Sequence, residues 1–131
     1  MLEFKHERDE KMLLMLNPIL IMIYADLYSY TLETHGVNLI VTDTISDAAR
    51  DKKLGRTSTA HKNAIAIDVR TRNLDAFVVN DMISYLNTKT AYDKYKYLSR
   101  SGERRLAYWH NSGNGEHLHI ALHSKFAIPQ L

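Results

Sequence analysis

Between Asn17 and Gly36, Leu20, Ile23, Tyr24, Leu27 and then Tyr30 or Thr31 recur at intervals of three and four, which predicts a long helix with one apolar stripe. Asn17-Pro18 supplies a cap followed by the residue favoured at the first helical position, and Gly36 stands where a C-cap is expected. A weaker amphipathic pattern over residues 2 to 15 predicts a short helix ahead of it. The β-branched run Val37 to Thr42 predicts a first strand, and the polar stretch from Asp43 to Lys53 holds a helical turn around Ser46 to Arg50. Over residues 64 to 69 the period becomes two. Ala64, Ala66 and Asp68 share one face of a predicted strand, and Ile65, Ile67 and Val69 share the other.

Helical spacing returns from Asn73 to Leu86, with Phe77, Asp81 or Met82, Ile83 and Leu86 on the stripe. Tyr92 to Leu98 and Arg105 to Trp109 then predict two strands joined near Ser101-Gly102. Asn111 to Gly115 reads as a turn that feeds a strand over 117 to 122, antiparallel to its neighbours, and Pro129 breaks the tail. The pattern predicts an α+β fold, one domain over 1–131, in which N-terminal helices pack on a small, mainly antiparallel sheet.

Composition narrows the classes without choosing among them. The chain has 131 residues, 45% of them hydrophobic and 24% charged, which suits one globular domain and argues against disorder or a fibrous repeat. Seventeen basic and fifteen acidic side chains leave a formal charge of +2, too small to argue for a nucleic-acid partner. The basic stretch from Lys52 to Arg72 carries no recognised nucleic-acid fold signature, so no such partner is expected. Acidic residues near the N-terminus and the Asn17-Pro18 interruption fit neither a signal peptide nor a membrane span, so synthesis in the cytoplasm is expected.

The chemistry concentrates in two stretches. Asp68 is costly on an apolar strand unless a cation or hydrogen-bond donors meet it. His61 lies just before that strand, where a loop can fold back to the same point. Downstream, Glu116-His117-Leu118-His119 alternates so that both histidines face one side. With no cysteine in the chain, a set of His61, Asp68 and His119 leaves a fourth position open, as catalytic zinc sites do and closed structural sites do not. Glu116 and His117 stand beside it as candidate catalytic groups, and His110, Trp109 and His123 as candidate lining. Lys52, Lys53, Arg56 and Lys62 surround Gly55 and the Thr57-Ser58-Thr59 cluster in a basic loop suited to a substrate carboxylate.

At Thr59-x-His61-x-x-Ala64-x-Ala66-x-Asp68 and Glu116-x-x-His119 the chain resembles the zinc peptidases that include D-alanyl-D-alanine carboxypeptidases and phage L-alanyl-D-glutamate endolysins, with lysostaphin and the hedgehog signalling domain as more distant relatives. The family pattern is S-x-H-x-x-G-x-A-x-D followed by D/E-x-x-H. Thr59 replaces its Ser and Ala64 its Gly. The Arg that the family carries shortly after its first strand is missing from Val41 to Asp47, leaving Arg50 and Arg56 as the nearest substitutes.

The resemblance implies a hedgehog/DD-peptidase-like fold and a zinc ion on His61, Asp68 and His119. It also implies a base at Glu116 aided by His117, and substrate contacts from Arg50, Arg56, Thr59 and Trp109. The implied substrate is a stem or crosslink peptide of bacterial peptidoglycan, reached after release in the manner of a phage lysin. Endopeptidase and carboxypeptidase action both stay open. The alternative from another class is a catalytically inactive zinc-containing module that binds the wall or builds a virion.

Overall fold

The computed structural model describes residues 3–46, 48–55, 58–112 and 115–128. Its chain runs β1 (Glu3–Phe4), α1 (Glu7–Met12), a 3-10 turn at Leu13–Met15, α2 (Pro18–His35), β2 (Ile40–Asp43), α3 (Ala48–Lys53), β3 (Ala66–Arg70) and α4 (Ala76–Thr88). A 3-10 segment at Thr90–Tyr95 leads into β4 (Tyr97–Leu98), β5 (Arg104–Arg105), β6 (Ala107–Ser112), β7 (Gly115–Ala121) and a last 3-10 turn at Ser124–Phe126. The result is α+β. Its main sheet has the order β1-β2-β3-β7-β6, antiparallel except for the β1–β2 pair, and β4 and β5 form a separate ribbon.

The sheet has two unlike faces because its strands alternate. Val41, Ile67, Val69, Leu118 and Ile120 are buried in the core with Leu20, Ile23, Tyr24 and Leu27 of α2 and Val78, Met82 and Leu86 of α4. The opposite face carries Ala66, Asp68, Arg70, His117, His119 and Ala121, brought level by the β3–β7 register. The Asn17 carboxamide accepts a hydrogen bond from Ile19 N at 2.8 Å, and Gly36 closes the other end of α2 at φ 66°, as the capping residues require. The two core helices are clamped by Asp26, which accepts from Tyr85 Oη (2.8 Å), Tyr92 Oη (2.5 Å) and Lys89 Nζ (2.7 Å). No helix among the described residues is long and apolar enough to cross a membrane.

Several expectations are corrected. The first segment is a short edge strand and a two-turn helix rather than one helix from 2 to 15, because Lys5 N donates to Val41 O and draws the chain onto the sheet. Thr90–Tyr95 is a 3-10 turn, not strand; Lys89, Tyr92 and the Asp26 clamp hold it against α2. Phe77 is 64% exposed, and the inward face of α4 is Val78, Val79, Met82 and Leu86 instead. Ala64 precedes the strand in a turn at φ 60°, the left-handed region that a glycine adopts freely. Pro129 lies outside the described residues.

Candidate metal centre

Asp68 and His119 are direct cross-strand partners on β3 and β7, so their side chains leave the sheet side by side. His61 arrives from the turn over 59–64, closed by Asn63 N to Thr59 O (2.9 Å), Ala64 N to His61 O (3.2 Å) and Ile65 N to Ala60 O (3.1 Å). The left-handed Ala64 reverses the chain there, at the position where the resembled pattern has Gly. The turn is pinned to the end of β2 by Ser46 N donating to His61 O and by His61 Nδ1, which lies 2.5 Å from Thr44 O. Thr44 is in turn held by its hydroxyl, which donates to the buried Asp9 at 2.6 Å.

These elements bring His61, Asp68 and His119 together, all three buried, with one ligand atom of each within 4.8 Å of the others, close enough to bind a metal ion. His119 Nδ1 lies 2.9 Å from Asp68 Oδ1, and His61 Nε2 lies 3.2 Å from Asp68 Oδ2. The Thr44 carbonyl takes the Nδ1 proton of His61 and so turns Nε2 towards the carboxylate, where it donates while protonated and offers a ligating lone pair once that proton is lost, as an outer carbonyl arranges for a ligating imidazole. Burial pushes the Asp68 carboxyl up, but the charge of His61 and the hydrogen bonds from His119 and His61 outweigh it and hold it well below the usual range. Burial also lowers the His119 imidazole despite the neighbouring Asp68. An ionised carboxylate and a neutral imidazole are the protonation states that ligation needs.

Around the triad is a second tier of aromatic nitrogen and hydroxyl groups. His117 Nε2 is 3.6 Å from Asp68 Oδ2. The β6–β7 register places Tyr108 opposite His119 and His110 opposite His117, with ring centroids 5.2 and 4.2 Å apart. Burial, followed by the nearby His117, lowers the His110 pKa, which keeps that ring neutral. Arg105 places its guanidinium carbon 4.4 Å over the Tyr108 ring.

Two clefts open onto this face. One, of about 380 Å³, is lined by Asp68, His117, Glu116, Arg50, Arg70, Arg72 and Lys5; the other, of about 750 Å³, by His119, Tyr108, Tyr97, Arg105, Thr59 and His123. A bulge in β2 sets Asp43, rather than Thr42, opposite Asp68 and turns it into the first cleft. Arg50 Nη2 donates to Asp43 at 3.0 Å.

Of the residues singled out from sequence, His61, Asp68 and His119 meet, and His117 stands beside them. Arg50 and Thr59 line different clefts, and Arg56 lies outside the described residues. Strand parity puts Glu116 on the face opposite the ligands, but at the exposed end of β7 it still lines the first cleft. Its Oε1 accepts from Thr71 Oγ1 at 3.3 Å, and Thr71 accepts from Trp109 Nε1 at 3.0 Å. Because an indole N–H can only donate, the Thr71 proton is directed at Glu116. Trp109, expected as a substrate contact, pairs with Leu118 on the far face and supports Thr71 there. His110, expected as lining, stands opposite His117, whereas Tyr108 and Thr71 were missed, since only strand pairing reveals the first and only the Glu116 and Trp109 hydrogen bonds the second.

Comparison with protein-family models, with curated proteins and with solved structures finds no match to this chain.

Proposed function

We propose that this chain is a zinc peptidase of hedgehog/DD-peptidase-like fold that hydrolyses an amide bond in bacterial peptidoglycan peptides. The observation that carries the reading is the convergence of His61, Asp68 and His119 on one point, from the two stretches whose spacing resembles that family. The donor set fits zinc: two imidazole nitrogens and one carboxylate oxygen leave a position open, and the outer carbonyl on His61 fixes its tautomer. The chemistry supplied by a bound zinc is acidification of water to a pKa of about 7 and polarisation of a carbonyl.

The chain's own residues do the rest. Glu116, oriented by the Thr71 hydroxyl, accepts a proton from water in the first cleft and passes it to the leaving amine. His117 is placed to donate to negative charge developing on the amide oxygen. Asp68 and His119 line different clefts, so a peptide has room on both sides of the triad, which favours an endopeptidase over a carboxypeptidase. Action on the wall follows release from the cell that makes the protein.

The test is mass spectrometry of purified peptidoglycan after incubation with the zinc-loaded protein. New amine and carboxylate termini inside stem or crosslink peptides are expected. Unchanged fragments, with zinc bound, would support the second reading, a zinc-containing wall-binding or virion module without turnover. That reading is favoured by one observation: the Glu116 carboxylate is turned towards Thr71 and has no described contact with the triad.

A further inference from the structure

Among the described residues, the three carboxylates that line the first cleft are already engaged. Asp43 is held by Arg50 at 3.0 Å and Arg8 at 3.7 Å, Asp68 by the imidazoles, and Glu116 by Thr71. Lys5, Arg70 and Arg72 line the same cleft, and among the described residues no side-chain hydrogen bond or ion pair engages any of them. Arg72 is exposed, whereas Arg70 is half-buried on the ligand face of β3, opposite His117. A partly desolvated guanidinium without a partner is costly, and an entering anion offsets that cost.

Arg70 follows Asp68 by two residues along the strand, a rise of roughly 6.6 Å. A peptide advances by about 3.3 to 3.6 Å per extended residue, so a carboxylate at Arg70 belongs one or two residues from the amide at the triad. Resting on the peptidase reading, we propose that Arg70, flanked by Lys5 and Arg72, is the subsite that binds a substrate carboxylate and selects an acidic peptide. The planar guanidinium suits two parallel hydrogen bonds to that group. Arg50, the substitute anchor expected from sequence, is occupied by Asp43 and acts from the wall of the cleft.

The test is equilibrium binding of three acetylated tripeptides to the full chain in chelator, followed by NMR. The first, Ala-Glu-Ala amide, carries a side-chain carboxylate; the second, Ala-Gln-Ala acid, carries a terminal one; the third, Ala-Gln-Ala amide, carries neither. One or both acidic probes are expected to bind about tenfold more tightly than the neutral one, as for a charge-assisted hydrogen bond at a partly exposed site. The stronger of the two identifies the source of the carboxylate. Arg70→Gln is expected to reduce the preference below about twofold, Arg70→Lys to keep part of it and Arg72→Gln to cost less.

Equal binding of all three probes by the wild type overturns the proposal. So does an undiminished preference in Arg70→Gln, or displacement of the acidic peptide by inorganic phosphate at lower concentration than by its own unlabelled copy. Because the titration needs neither zinc nor turnover, its failure is separable from failure of the peptidase reading, which zinc content and wall digestion test on their own.

Discussion

Asp68→Asn keeps the size of the central residue of the proposed zinc site and removes its charge. For 131 residues, an unfolding entropy of about 2.1 cal/mol/K per residue makes 1 kcal/mol correspond to roughly 3.6 °C in Tm. Zinc at about a thousandfold its Kd stabilises by about 4.1 kcal/mol, a rise near 15 °C. Losing an outer-sphere partner of a metal ligand costs about 10- to 100-fold in affinity, so losing the one anionic ligand should cost at least about a hundredfold. The same zinc concentration then stands near 10 Kd, worth about 1.4 kcal/mol, and the rise contracts to about 5 °C or less.

In chelator the variant should be less stable than wild type by about 1 to 3 kcal/mol at pH 7, because the imidazoles lose a charged acceptor at 2.9 and 3.2 Å. The pH dependence has a definite sign. The Asp68 carboxyl is depressed in the folded state, so its contribution is present above the ordinary value of about 3.9 and is lost as pH falls through the folded value. The His119 imidazole is also depressed, so stability begins to fall once pH drops below about 6.5, in wild type and variant alike. Asp68→Asn should therefore flatten only the more acid part of the curve. Scanning fluorimetry with and without zinc, from pH 3 to 8, measures both effects. A zinc-induced rise in the variant equal to that of the wild type would refute the ligand assignment.

Glu116→Gln should preserve zinc content and Tm while lowering turnover by roughly 10²- to 10⁴-fold, the usual loss with a general base; a wild-type rate on peptidoglycan peptides would transfer that role to His117. Thr71→Val, which removes the hydroxyl between Trp109 and Glu116, should lower kcat more than it raises KM, and steady-state kinetics showing an effect on KM alone would deny it a positioning role. Asp26→Asn weakens three hydrogen bonds that tie α2 to α4 and the following turn, and should cost about 2 kcal/mol after allowing for partial exposure, read by urea denaturation. Ala64→Gly trades left-handed strain of about 1 kcal/mol against a buried methyl worth about 0.8 kcal/mol, so its stability should stay within about 1 kcal/mol of wild type. Ala64→Val should lose more than about 2 kcal/mol, and an unchanged urea midpoint there would contradict the positive φ.

What could be read from the sequence was local. The period of Leu20, Ile23, Tyr24 and Leu27 sets the inward face of α2, and Asn17-Pro18 and Gly36 set its ends, because capping chemistry acts within a few residues. Alternation around Asp68 and His119 marks both as facing away from the core, because side chains on a strand reverse at every step. The tertiary structure decided whatever depended on register or on distant partners. Pairing β6 with β7 chose Tyr108 and His110 for the ligand face and sent Trp109 to the other, though all three lie in one short run. The bulge in β2 chose Asp43 over Thr42, and the open end of β7 let Glu116 reach the cleft from the wrong side of its strand. Thr90–Tyr95 carried a strand-like composition but was captured as a 3-10 turn by hydrogen bonds to Asp26, a residue more than sixty positions earlier that no local pattern could announce.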